Sequence, residues 1–285
     1  MMSGVALKLG FIGGGNMAAA LIGGLLQKGY AASAIDVAET SEERRTWLTH
    51  EFGVAAHADA EAVLAAEVIV LAVKPQQLAA ILRALPPLKP EQLVLSIAAG
   101  VRAEDISRWL GGHAAVVRAM PNTPALVGAG MAGLFALPGV SETQKMQAGR
   151  ILEAVGHAVW VDQEAQIDAV TAISGSGPAY VFYFIEALEK AGIDLGLPAA
   201  TARLLTLQTF FGAAALAIKD QSAPAELRAR VTSKGGTTER GIFALEEGGV
   251  AYAIGLAARA AAERAFEMGA LLGQDGNQPA GKHEC

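Results

Sequence analysis

The run Ser233-Lys234-Gly235-Gly236-Thr237-Thr238 sets two glycines and three hydroxyl side chains directly ahead of a helix-like stretch, TTERGIFALEEGG. That order of residue types suits an anion. Adjacent glycines can turn backbone N–H groups outward as a concave nest, and a helix starting at Thr237 aims its positive dipole end at the same spot. Ser233 adds a hydroxyl donor, while the hydroxyls of Thr237 and Thr238 serve either to cap the helix or to bind the ligand. The expected ligand group is a carboxylate.

A second cluster lies in LGFIGGGNMAAALIGGLLQKGY. Gly13-x-Gly15-x-x-Ala18 follows a strand-like run and opens a helix-like one, the context that makes a glycine pattern a dinucleotide fingerprint. Gly13 permits the tight turn, Gly15 lets the backbone approach a pyrophosphate, and Ala18 allows close packing of helix on sheet. The helix start, at Asn16 and Met17, turns its free N–H groups to the anion. The acid that would hold a ribose 2′-hydroxyl belongs about 20 residues further on, where Asp36 and Glu39 stand. Glu39 argues for NADH. Arg44 and Arg45 follow within two turns and either reach a 2′-phosphate or are solvated helix charges, so NADPH and NADH both stay open.

Three further segments, VLAVKPQQ (70–77), LSIAAGV (95–101) and RAMPNTPALVGAGM (118–131), end strand-like runs on one edge. Ligands of open α/β sheets bind at that carboxyl edge. Pro75 stops its strand, and Ala98, Ala99 and Gly100 leave room for a flat ring; PNTP reads equally well as a rigid turn. The cofactor-binding candidates are Gly13, Gly15, Asn16, Met17, Ala72, Val73, Lys74, Pro75, Ala98 and Ala99. SGSGPAY (174–180) breaks a long helical pattern at Pro178, as a close crossing of helices or as the frame of a pocket.

The elements that must position these residues change character along the chain. Short apolar runs at 7–13, 34–38, 67–73, 92–98, 114–119, 132–137 and 157–161 alternate with helical patterns, which predicts a parallel sheet wound on both faces. Beyond Asp162 the pattern is helical only, over 163–192, 198–219, 223–231, 237–247 and 251–272, with breaks at Gly and Pro. The expected fold is α/β: a Rossmann-like doubly wound domain at 1–162, then an all-helical dimerisation domain at 163–273. Residues 274–285, polar and without period, are expected to be a disordered tail.

Composition narrows the function classes. At 285 residues the chain exceeds what one core serves, so two domains are the default. A net charge of −6 and 18% charged residues offer no basic face for a phosphate backbone, which argues against nucleic acid. The single cysteine, Cys285, excludes a disulfide framework or a Cys-based metal site and fits a reduced, cytoplasmic setting. Of the longest charge-free runs, 9–27 is interrupted by Gly13, Gly14, Gly15 and Asn16, and 204–218 is short of the roughly 20 residues of a membrane span. Both are expected to be buried segments of a soluble protein.

FIGGGNMA, AVKPQ, SIAAGV, RAMPNTPALVGAGM, AISGSGPAYVF and VTSKGGTT together resemble, in the same order, the motifs of pyrroline-5-carboxylate reductases, over about residues 7–272. SGSGPAY and the Ser-x-Gly-Gly-Thr-Thr loop are the specific marks. The resemblance implies reduction of 1-pyrroline-5-carboxylate to L-proline with NADPH or NADH, the last step of proline biosynthesis. It implies a helical domain that interlocks two subunits, often with five such dimers in a ring. It implies that Thr238 approaches the ring nitrogen, as the catalytic candidate, and that Glu164 joins Ser233, Gly235, Gly236, Thr237 and Thr238 at the substrate.

Such chemistry is modest in its demands. A protonated cyclic imine accepts hydride directly, so the protein's task is mainly positioning, and none of the five histidines is placed as a base. Thr238 is then an orienting donor. A β-hydroxyacid dehydrogenase shares the layout but needs a lysine early in its second domain, and none occurs between Lys145 and Lys190. A nucleotide-binding scaffold without turnover would leave the Gly-Gly-Thr-Thr loop without purpose. Glu39 and Arg230 depart from what the family usually carries, which bears on cofactor preference.

Overall fold

The computed structural model describes residues 7–274; the tail expected beyond them, and Cys285, lie outside. By contacts the chain forms two compact units. One comprises the chain up to Ser176 together with the segment from Ala260, and the other is Gly177–Arg259. The pattern changes where the last strand ends, at Trp160, whereas the contact boundary falls at Ser176.

In the first unit the elements run β1 (Leu9–Ile12), α1 (Asn16–Gln27), β2 (Ile35–Ala38), α2 (Glu42–Phe52), β3 (Ala55–His57), β4 (Val68–Leu71), α3 (Pro75–Ala84), β5 (Leu93–Ser96), α4 (Ala103–Trp109), β6 (Val116–Met120), β7 (Gly130–Ala136), α5 (Glu142–Glu153), β8 (Gly156–Trp160) and α6 (Gln166–Val170). The strands form one sheet in the order β3-β2-β1-β4-β5-β6-β7-β8. Sequential order reverses between β1 and β4, which makes their carboxyl ends the switch point.

The central strands LGFI, VIVL and LVLS are wholly buried and, apart from Ser96, apolar, as strands covered on both faces must be. Their side chains alternate between two cores. Leu9, Phe11, Val68, Val70, Leu93 and Leu95 pack with Leu21, Ile22 and Leu25 of α1 and Ile151 and Leu152 of α5. Ile12, Ile69, Leu71 and Val94 pack with Leu78 and Leu82 of α3 and Ile106 and Trp109 of α4. Each such side chain contributes about 1.5–3 kcal/mol on burial. Local signals set the helix ends. Ser41 accepts the Arg44 N–H and caps α2, Ser141 and Gln144 form a capping box on α5, and Pro75 opens α3.

Two differences from the sequence reading concern the sheet. β3 is an eighth strand; its three residues, Ala-Ala-His, are too short and too weakly apolar to stand out. β7 runs antiparallel to β6, although the remaining pairings are parallel. The connection 121–129 is shorter than the dozen or so residues a parallel crossover needs.

The second unit holds α7 (Gly177–Asp194), α8 (Ala199–Asp220), α9 (Pro224–Arg230), α10 (Thr237–Glu247) and the start of α11 (Val250–Gln274), whose last turns belong to the first unit. α11 runs two residues past the end expected for it. From α7 to α10, Ala202 and Thr206 are the buried residues. The run 204–218, expected to be buried, is instead exposed within the chain: Leu204, Phe211 and Ile218 are 68%, 69% and 78% accessible. Among the described residues, most of the remaining α8 surface is exposed, with Phe210 and Ala217 half-buried. By length and composition alone α8 could cross a membrane.

Candidate active site

Gly13 adopts φ +101°, a left-handed conformation that favours glycine, and a Cβ there would lie 2.7 Å from the Ala72 carbonyl and 2.9 Å from Val73 Cγ1. The first fingerprint glycine is thus wedged against the end of β4, at the switch point. Its N–H donates to Ala38 O at 2.8 Å, and the Ala72 N–H donates to Ile12 O at 2.8 Å. Gly15 is the opposite case, with open space all around the position of a Cβ. It is the N-cap of α1, with no side-chain cap and no acid in the first turn. First-turn N–H groups have no partner inside a helix, so the exposed edge at Gly15 and Asn16 fits a pyrophosphate. Lys74 is exposed as the N-cap of α3; Ala72, Val73 and Pro75 are half-buried beside it. Ala98 is buried and Ala99 half-buried, whereas the space over Gly100 goes to Met268 and Leu272 of α11.

Glu39 follows the last residue of β2 and folds back on the fingerprint. Its Oε2 accepts the Gly14 N–H at 3.0 Å and its Oε1 the Ser41 N–H at 2.9 Å, with the Thr40 hydroxyl at 3.3 Å. Burial pushes this carboxyl up, but the Ser41, Gly14 and Thr40 hydrogen bonds outweigh it and hold Glu39 below the usual carboxylate range. Arg44 Nε donates to Gly14 O at 2.7 Å while its guanidinium lies 4.0 Å from the Trp47 ring centre. Arg45 Nη1 donates to the carbonyls of Glu39 and Thr40, both at 2.8 Å. Asp36, the other candidate acid, is paired with His57 at 3.0 Å.

Glu164 lies in the first unit, just ahead of α6. Its Oε1 accepts the Ala103 N–H at 2.7 Å and Arg118 Nη1 at 3.1 Å, and Asp168 Oδ1 takes Arg118 Nη2 at 3.4 Å. Arg118 is buried inside β6. Neither it nor Asp168 was singled out in the sequence, although an arginine within the apolar run VVRAM signals a buried partner acid. Asn122, which reads in the sequence as part of the PNTP turn, is another such residue. Its amide donates to the Ser174 carbonyl and hydroxyl, both at 3.2 Å, and its Oδ1 accepts the Met131 N–H at 2.9 Å. Ser174 lies in a π-helical turn, Thr171–Gly175, closed by the Ser176 N–H donating to Thr171 O at 2.7 Å. SGSGP therefore bends before Pro178, with PNTP holding the bend.

In the second unit the loop 233–238 is exposed apart from half-buried Gly236. Gly236 is the N-cap of α10, and no side chain caps this helix, so neither Thr237 nor Thr238 acts as a cap. Both are exposed at its first two positions. The glycine N–H groups are not free as expected of a nest. Gly235 donates to Glu239 Oε2 at 2.8 Å and Gly236 to the Ser233 carbonyl at 3.0 Å. That leaves the first-turn N–H groups of α10 and the Ser233, Thr237 and Thr238 hydroxyls as donors. Arg230, ahead of the loop, is held by Asp220 at 2.8 Å and Ser222 at 3.0 Å.

Residues 164–268 match the family model for pyrroline-5-carboxylate reductase dimerisation, and residues 8–100 match one described as NADP oxidoreductase, coenzyme F420-dependent. A pyrroline-5-carboxylate reductase of Pseudomonas aeruginosa is 50% identical over 94% of this chain and 98% of its own length. The solved pyrroline-5-carboxylate reductase of Coxiella burnetii is 43% identical with a TM-score of 0.87, covering 93% of this chain and 99% of that one. The Plasmodium falciparum pyrroline carboxylate reductase, solved with NADP bound, is 31% identical with a TM-score of 0.83, covering 93% and 100%. With a fingerprint seated at the β1/β4 switch point and relatives this similar over nearly their full length, the chain belongs to the pyrroline-5-carboxylate reductase family.

Proposed function

We infer that this chain reduces 1-pyrroline-5-carboxylate to L-proline, the last step of proline biosynthesis, using NADPH or NADH. Beside family membership, the observation that carries the reading is the edge of the first unit. There Gly13 is packed on Ala72, Gly15 faces open space, and α1 starts without a cap.

When bound, the dinucleotide supplies the hydride that the imine carbon receives. Gly13, Gly15, Asn16 and Met17 hold its pyrophosphate, and Ala72, Val73, Lys74, Pro75, Ala98 and Ala99 line its course along the strand ends. In the second unit, the substrate carboxylate is assigned to the loop Ser233, Gly235, Gly236, Thr237 and Thr238, where the hydroxyls and the first-turn N–H groups of α10 are the donors and the glycines shape the turn. The Thr238 hydroxyl hydrogen-bonds the ring nitrogen and orients the imine, and Glu164 completes the substrate contacts. Residues 1–162 thus carry the cofactor, and 163–273 carry the loop and the subunit interface.

We read the exposed apolar surface of α7, α8 and α11 as that interface, in a homodimer and further in a ring of five dimers, rather than as a membrane span. An obligate interface resembles a core cut in half, and Phe182, Phe211 and Tyr252 supply such a surface. The protein is placed in the cytoplasm, without nucleic-acid partners.

Oxidation of NADPH and NADH in the presence of 1-pyrroline-5-carboxylate tests the reading, with Thr238→Ala alongside. Proline-forming turnover is expected, with kcat/KM lowered about 10- to 100-fold in the variant. Nucleotide binding without turnover by the unaltered protein overturns it.

A further inference from the structure

We propose that the Glu39 turn makes this chain select the dinucleotide with a free ribose 2′-hydroxyl, NADH, over its 2′-phosphorylated counterpart. The proposal rests on the reading that the fingerprint binds a nicotinamide dinucleotide.

Register fixes the location. β1 and β2 are parallel with Ile12 opposite Ala38, so Glu39 leaves the sheet beside the fingerprint turn. Its carboxylate is pinned there by the Gly14 and Ser41 N–H groups at 3.0 and 2.9 Å. A Cβ on Gly14 would come 3.3 Å from Glu39 Cβ and 2.5 Å from Leu48 Cδ1, so these two side chains close on the turn as tightly as a bare glycine allows. A fixed carboxylate with spare lone pairs accepts from a ribose hydroxyl. Toward a 2′-phosphate it presents like charge and no donor.

The cations that could reverse this choice are already engaged. Arg44 holds Gly14 O at 2.7 Å and stacks on Trp47. One of its terminal nitrogens, Nη2, is buried without a hydrogen-bond partner, shielded from incoming phosphate. Arg45 bridges the carbonyls of Glu39 and Thr40. Gly14 is therefore clamped at its N–H by Glu39 and at its carbonyl by Arg44. Each arginine thus already commits a donor to the turn that keeps the carboxylate in place, Arg44 through Nε and Arg45 through Nη1. Asp36, the other acid near this spacing, is turned to His57 through its Oδ1 at 3.0 Å.

Direct binding tests the proposal without turnover. The full chain is titrated separately with NADH and NADPH, following tryptophan quenching and energy transfer to the nicotinamide, and with ADP and 2′,5′-ADP as competitors. NADH is expected to bind at least about tenfold tighter than NADPH, with ADP likewise ahead of 2′,5′-ADP. Glu39→Gln should shift the ratio toward NADPH by a similar factor, and Asp36→Asn should leave it where it was. Equal or tighter binding of NADPH by the unaltered protein overturns the proposal, as does a Glu39→Gln variant that weakens both cofactors alike. Binding of neither dinucleotide overturns the underlying cofactor reading instead.

Discussion

Arg118 of β6 and Glu164 ahead of α6 meet at 3.1 Å, with the arginine side chain only 4% exposed. Glu164 also accepts the N–H that opens α4, and Asp168 takes the other arm of the guanidinium. One arginine thus holds together a strand and a helix joined through more than forty residues of chain. Arg118→Met removes the cation and leaves two shielded carboxylates facing each other. The expected cost is about 3 kcal/mol, read as a lower urea midpoint with unchanged slope. An unchanged midpoint would mean that the cluster adds nothing to stability.

Glu239 occupies the Gly235 N–H that an incoming carboxylate would use. Its negative charge also opposes an anionic substrate. Glu239→Gln is therefore expected to lower KM for 1-pyrroline-5-carboxylate about two- to tenfold, with kcat little changed. A higher KM would show instead that Glu239 shapes the loop for binding.

Tyr30 donates its hydroxyl to the Leu7 carbonyl, and burial, with the Glu67 carboxylate nearby, pushes its pKa up to about 12. The unfolded chain releases this proton near pH 10, whereas the folded chain keeps it to about 12, so stability is full below pH 10 and falls across that window. Thermal unfolding followed through the window should show the decline, and Tyr30→Phe should flatten it. An equal slope in the variant would place the alkaline loss at another group.

Much of this fold was legible because parallel strands covered on both faces read as unbroken apolar runs. VIVL and LVLS announce themselves, and GGGNMA announces the turn between β1 and α1. What was hidden depends on distance along the chain. The direction of β7 follows from the short 121–129 connection, which shows as such only once both strand ends are placed, and β3 exists through pairing with β2 rather than through its own residues. At the site, the glycines of the loop were legible, but not the occupation of their N–H groups by Glu239 and Ser233. The Glu39 clamp was half-legible: the acid stood at the right spacing, and the engagement of Arg44 and Arg45 with the turn required coordinates.

α11 begins in the second unit and ends in the first, where Leu272 joins the core that also contains Val101 and Ile106. On the ribosome this order has a consequence. The nucleotide-binding half is synthesised first, yet Leu272, one member of its core, follows only after the whole dimerisation segment 164–268 has emerged. That core is therefore complete only once Leu272 has been made, and a chain stopped before it would leave this one position in the core unfilled.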